Sequence, residues 1–146
     1  MTTIVYDHDN QLIACDSRST AGGYITSDSV NKFITVNDEI WFFAGNLSDI
    51  DLFISEFEPN KEASEHLDCQ AFVVSNKQGK MVWISEGVYK TEKLWVNDAF
   101  GSGGWHGQIA MDFGKTAKEA VEYAMTKDIH SGGKVHVYDI VKGKFI

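Results

Sequence analysis

Apolar residues in the first third of the chain fall in short runs separated by turn chemistry. Thr3 to Tyr6 and Gln11 to Asp16 are β-rich, and the Asp7-His8-Asp9-Asn10 cluster between them reads as a turn, so a hairpin is predicted. After Gly22-Gly23, Tyr24 to Val36 reads as a further hairpin arm, and the apolar run Ile40 to Ala44 stops at Gly45. Five strands fit this part of the chain. The period then changes. Ile50, Phe53, Ile54 and Phe57 recur at helical spacing behind Ser48, with Asp51 placed as in a weak capping box, which predicts a helix over 48–57 with one apolar face.

Pro59 and the polar stretch to Asp68 end that helix. Gln70 to Ser75, Lys80 to Ser85 and Val88 to Val96 read as strands, split at Lys77-Gln78-Gly79 and Glu86-Gly87, and imply a second sheet. A weak helical pattern follows Gly101-Ser102-Gly103-Gly104, interrupted by Gly107 and Gly114. A stronger one starts at Thr116, where Glu119 completes a capping box and Ala117, Ala120, Val121, Ala124 and Met125 form an apolar stripe. Lys134 to Ile140 and Lys144 to Ile146 close the chain as strands. Strands, helix, strands, two helices, strands is an order that places sheets in layers with helices outside. No internal repeat or linker interrupts it.

Composition narrows the reading. A chain of 146 residues has the length of one ordinary domain, and a hydrophobic fraction of 43% is that of a protein that folds. The net charge of −8 lacks the basic field that phosphate-backbone binding requires, so nucleic acid is not an expected partner. No apolar run reaches the length of a membrane span and no export signal is recognisable, so a cytoplasmic location is expected and no membrane association. Cys15 and Cys69 stand far apart and form no C-x-x-C, which fits a reducing compartment. Cys15, inside a strand beside Ala14, reads as a small core residue rather than a nucleophile. His8, His66, His106, His130 and His136 show no metal spacing, and Asp7 and Asp9 read as turn residues, so neither a metal site nor a cofactor is expected. Trp41, Trp83, Trp95 and Trp105 read as aromatics that either pack the layers or meet another subunit.

The candidate chemistry lies at the start of the chain. A threonine hydroxyl is a poor nucleophile in water and needs a base to take its proton. An N-terminal threonine carries one, because a free α-amine has a pKa of about 7.7–8.0. Met1 before the small Thr2 is an arrangement from which the initiator methionine is trimmed, which leaves Thr2 as the expected terminus. Asp16 closes the first hairpin, and Lys32 follows at a spacing that lets a folded-back strand bring carboxylate and ammonium together near Thr2. A lysine there lowers the hydroxyl pKa by its charge, with Asp16 holding it in place.

The segments Thr2-Thr3-Ile4-Val5, Asp16-Ser17-Arg18-Ser19-Thr20-Ala21-Gly22 and Lys32 resemble the catalytic half of proteasome β-type subunits and of the bacterial proteasome-like peptidase, both N-terminal-nucleophile hydrolases. The likeness continues at Ala44-Gly45, Gly101-Ser102-Gly103-Gly104 and Asp128-Ile129-His130-Ser131-Gly132-Gly133, over nearly the whole chain. The resemblance implies an α+β fold, a four-layer αββα sandwich, as a single domain over 1–146. It implies Thr2 as nucleophile and, through its amine, proton acceptor, with Lys32 tuning it and Asp16 orienting Lys32. It further implies Gly45 N–H as oxyanion donor, and Ser102, Asp128 and Ser131 as a hydrogen-bonded cluster around the amine. Thr20 would lie on the strand that pairs with an extended peptide, and Phe43 would line the pocket for the residue before the scissile bond.

Two departures stand out. The polar residues from Pro59 to Asp68 occupy the place of the family's second long helix, so a shortened helical layer is expected, and the stretch from Lys32 to Gly45 is one residue shorter than in typical β subunits. The function implied is threonine-dependent amide hydrolysis of peptides or unfolded polypeptides by a homo-oligomer, with an ATP-driven unfoldase as a partner. The alternative is an inactive proteasome-like binding or regulatory protein that docks on a partner complex, since fold does not determine function.

Overall fold

The structure, a computed structural model, describes residues 2–146; Met1, whose removal the sequence reading expects, lies outside the described residues. Its first strands, β1 (Ile4–Asp7) and β2 (Leu12–Cys15), form the expected hairpin, with Ile4 opposite Cys15 and Tyr6 opposite Ile13. Asp7 closes the turn, because its carboxylate accepts from the Asn10 backbone N–H and side-chain amide at 3.2 and 2.8 Å. The arm expected over Tyr24 to Val36 divides in two. β3 (Ser19–Ala21) and β4 (Tyr24–Ser27) make a separate ribbon, and β5 (Phe33–Val36) begins a different sheet with β6 (Glu39–Gly45). Six strands, not five, therefore precede the first helix among the described residues. The short Ser19–Ala21 strand carries too little apolar alternation to announce itself.

The remaining strands are β7 (Cys69–Ser75), β8 (Gln78–Ser85), β9 (Val88–Lys93), β10 (Asp98–Phe100), β11 (His136–Asp139) and β12 (Lys144–Phe145). Gln78 and Gly79 belong to β8, since the hairpin turn is Asn76-Lys77, both at positive φ (49° and 60°), which matches the twist of the flanking strands. One antiparallel sheet runs β10-β1-β2-β11-β12 and the other β5-β6-β7-β8-β9.

Alternate residues in each strand serve two cores. Ile4, Tyr6, Ile13 and Cys15 from one sheet meet Ile40, Phe42, Phe72 and Val74 from the other. On the far face of the second sheet, Trp41, Phe43, Val73 and Tyr89 pack under Ile50 and Phe53 of α1 (Leu47–Glu56). On the far face of the first, Val5, Ala14 and Val137 pack under α2 (Gly104–Asp112) and α3 (Ala117–Met125). The order is helix, sheet, sheet, helices, an αββα sandwich. Because both faces of the inner strands are buried, they read as apolar runs.

Helix termini follow local chemistry where it exists. The Thr116 side chain accepts from Glu119 N–H at 3.2 Å, and the Glu119 carboxylate accepts from Thr116 N–H at 3.1 Å, so this capping box forms as expected. The one expected at Ser48 does not: the N-cap position of α1 falls on Asn46, one residue after β6 ends, with no side-chain bond to the helix. Gly107 does not interrupt α2 but fits it to the sheet, since a Cβ there would stand 2.6 Å from Val5 Cγ1. The 59–68 segment forms no helix among the described residues. It runs instead along the edge strand β9, through Asn60 N–H to Tyr89 C=O (2.9 Å), Tyr89 N–H to Lys61 C=O (2.9 Å) and Ala63 N–H to Gly87 C=O (2.8 Å). The helical layer over the second sheet is shortened to α1, and backbone pairing covers the edge.

Candidate active site

Antiparallel pairing decides where the chemistry collects. β1 begins where β2 ends, and β5 begins where β6 ends, so Thr2, Asp16, Lys32 and Gly45 all lie at one end of the sandwich. Thr2 and Lys32 approach each other from the two facing sheets. The Lys32 ammonium donates to Thr2 Oγ1 at 2.7 Å and to Asp16 Oδ1 at 3.2 Å. All three residues are buried, Asp16 completely.

Asp16 is held by backbone as well as by charge. Its Oδ1 also accepts from Thr3 N–H at 3.0 Å, while Oδ2 accepts from Arg18 N–H at 3.1 Å and Gly132 N–H at 3.0 Å. Four donors on two oxygens satisfy this carboxylate in a dry interior. Burial pushes the Lys32 ammonium below the usual lysine value, and the Asp16 carboxylate opposes that shift. A lysine so placed is a positive charge in low dielectric beside a hydroxyl, which favours the alkoxide form of that hydroxyl.

A second network joins the start of β1 to the loops after β10 and α3. Thr3 Oγ1 and Ser131 Oγ share a hydrogen bond of 2.6 Å, and Ser131 and Ser102 both donate to Asp128 Oδ2, at 2.7 and 2.5 Å. Burial works against the Asp128 charge, but the bonds from Ser102, Ser131 and His130 N–H outweigh it and hold the carboxyl below its ordinary range. Gly101 (φ +94°) and Gly103 let this loop lie on the terminal segment: a Cβ at Gly101 would fall 1.9 Å from the Thr2 carbonyl oxygen, and Gly103 N–H donates to that oxygen at 3.3 Å. A side chain at Gly101 has no room and the wrong backbone.

Thr2, Lys32, Thr20, Phe43 and Gly45 line one cleft of about 390 Å³. Thr20 sits in β3, its hydroxyl 3.2 Å from His130 Nδ1. Phe43 borders the cleft but its ring belongs chiefly to the core beneath α1. Gly45 (φ +123°) packs against the opposite wall, where a Cβ would stand 1.9 Å from the Asp68 carbonyl oxygen. Ser102, Asp128 and Ser131 stand behind Thr2, joined to the terminal segment through Thr3.

Other residues of the site carry little sequence signal. Thr3 supplies both a backbone and a side-chain contact, yet next to Thr2 it looks redundant. Arg18 pairs with the Asp28 carboxylate through Nε at 2.8 Å and Nη2 at 3.1 Å, and donates to Ile129 C=O at 3.1 Å, so it ties three loops together at the cleft. Its signal is that it is the sole charge between Asp16 and Asp28. Asn46, Leu47, Ser48 and Asp68 complete the opposite wall, and none of them stands out from its neighbours in the sequence. Cys15 lies fully buried between the sheets, its thiol pushed up to about 12 by burial. Trp41 is core, whereas Trp95 and Trp105 are exposed.

No protein-family model and no curated protein matches the chain significantly. Solved structures do. The eukaryotic HslV of Trypanosoma brucei superimposes with a TM-score of 0.70 at 22% identity, over 93% of this chain and 97% of that one. BPH of Thiobacillus denitrificans gives 0.69 at 20% identity, over 94% and 95%. The same protein in complex with epoxomicin gives 0.69 at 19% identity, over 94% and 97%. At these identities the likeness is one of fold, and the fold of this chain is that of the HslV and BPH structures.

Proposed function

We propose that this chain is a threonine-dependent amide hydrolase, a proteasome-like peptidase of one domain whose nucleophile is Thr2 after Met1 is removed. The observation that carries this reading is the Lys32 ammonium 2.7 Å from Thr2 Oγ1, buried and braced by Asp16. A binding protein built on the same scaffold gains nothing from burying a charged pair against its first threonine, since such a pair is a poor source of stability.

In the proposed cycle Thr2 Oγ attacks the scissile carbonyl carbon, and its proton passes to the α-amine. The Lys32 charge lowers the energy of the departing proton's conjugate base, and Asp16 fixes Lys32. Gly45 N–H meets the oxyanion, in a strand end where backbone can approach the reacting carbon. Collapse of the tetrahedral intermediate expels the amine product, which takes the proton from the α-ammonium, and leaves an ester on Thr2. Water, deprotonated by the free amine, hydrolyses that ester. Ser102, Asp128 and Ser131 hold the loop that carries the terminal segment, which keeps amine and hydroxyl in register. Thr20 offers its strand to an extended substrate, and Phe43 borders the pocket from the core beneath α1.

The substrate class is peptide or unfolded polypeptide. A cytoplasmic homo-oligomer fed by an ATP-driven unfoldase is the setting this activity fits, because an enzyme that reads main chain needs its substrate extended.

Intact-mass measurement and turnover of fluorogenic peptide amides test the proposal together. A mature chain that begins at Thr2, cleaves such peptides and is blocked by epoxomicin is the expected result, with Thr2→Ala and Lys32→Ala both inactive. A mature chain that retains Met1, or a Thr2→Ala variant as active as wild type, refutes it.

A further inference from the structure

We infer that Asp68 makes this cleft select a cationic side chain, lysine or arginine, at the substrate position that precedes the scissile bond. The inference deepens the proposed peptidase reading and rests on it. It starts from the segment 59–68, which runs as extended chain along β9 and returns to β7 at Cys69. That course brings Asp68 to the cleft wall opposite Arg18 and Thr20, in the same cavity as Thr2 and Lys32.

Asp68 is anchored there by its backbone. Its carbonyl accepts from Asn46 N–H at 2.9 Å and abuts Gly45, while its N–H donates to the Asp49 carboxylate at 3.3 Å. The carboxylate of Asp68 is exposed, and among the described residues no cation stands within ion-pair distance of it. Both cations of the cavity already have a carboxylate: Arg18 pairs with Asp28 and Lys32 with Asp16. The cleft therefore presents unbalanced negative charge at one wall, in a protein whose net charge is −8. A cationic side chain entering the cleft past the edge of Phe43 would bring its charge to Asp68. An acidic side chain would meet a like charge.

The test uses peptide amides that differ only in Arg, Leu or Glu before the fluorogenic group. Wild-type protein is expected to cleave the Arg peptide with at least tenfold higher kcat/KM than the Leu peptide, and the Glu peptide least. Asp68→Asn is expected to erase most of the Arg advantage, read as the ratio of kcat/KM for the Arg and Leu peptides, and Asp68→Lys to favour Glu. Fluorescence anisotropy of the same peptides on the Thr2→Ala variant reads the pocket without turnover, and the Arg peptide is expected to bind tightest. A wild-type protein that treats Arg and Leu peptides alike overturns the inference and leaves hydrolysis standing. An Arg advantage that survives Asp68→Asn overturns it as well. Absence of turnover with preserved, Asp68-dependent Arg binding instead refutes the hydrolase reading and supports the role of Asp68.

Discussion

Replacing Asp16 by Asn tests how the candidate site is held together, because the substitution keeps shape and removes charge. Asp16 is fully buried and receives four donors: Lys32 Nζ and Thr3 N–H on Oδ1, Arg18 N–H and Gly132 N–H on Oδ2. An amide has one oxygen, so whichever way it turns, its NH2 group faces two donors that it cannot satisfy. Each buried donor left unmet costs about 1–3 kcal/mol. The Lys32 ammonium also loses its counter-ion, and breaking a buried pair from one side costs about 3–5 kcal/mol. These effects overlap, so a loss of about 3–5 kcal/mol is expected, a large share of a typical total of roughly 5–15 kcal/mol. In urea, at a slope of about 2 kcal/mol per molar, the midpoint moves down by about 2 M. The double variant Asp16→Asn with Lys32→Met removes the stranded charge and is expected to be more stable than Asp16→Asn alone, yet without peptidase activity. Urea unfolding followed by circular dichroism, with peptide turnover on the same samples, measures both. A loss below about 1 kcal/mol, or a double variant less stable than Asp16→Asn alone, would refute the claim that these two groups hold each other in the interior.

Three further outcomes follow from the same geometry. The folded-state pKa of Lys32 is lowered, so if its charge assists Thr2, the alkaline limb of kcat/KM falls off below the ordinary lysine value of 10.5; a pH profile flat to that value contradicts the assignment. The pKa of Asp128 is also lowered, from 3.8, so its contribution to stability is fully present above pH 3.8 and is lost as pH falls through the lowered value; Asp128→Asn is expected to flatten that part of the stability profile, read by thermal unfolding between acid and neutral pH. Gly107→Ala is expected to destabilise by about 1–3 kcal/mol despite the better helix propensity of alanine, because its Cβ would meet Val5 Cγ1 at 2.6 Å; a stabilised variant would mean that α2 shifts freely over the sheet.

Local rules in the amino-acid sequence determined the elements whose signal is complete within a few residues. The β1–β2 hairpin needed only the Asp7 turn, α3 only its Thr116 and Glu119 box with an apolar stripe, and the layered class only the order of the elements. The stretch after Pro59 is legible as non-helical for the same reason. Terminal-threonine chemistry and spacing, not periodicity, raised Thr2, Asp16 and Lys32, and the resemblance then assigned their roles. What the tertiary structure decided is everything that depends on residues far apart in sequence. Gly107 looks like a break in a helix until Val5 is seen beneath it, and Asn46 takes the N-cap position of α1 because β6 ends at Gly45. Phe43 could be pocket or core until α1 lies over its ring. Asp68 is one acidic residue in a polar run until the strap along β9 carries it to Gly45. The physical reason is common to all four. Propensity, capping and turn chemistry act within a turn or two of chain, whereas the space a side chain meets is supplied by whatever the sheet register brings against it.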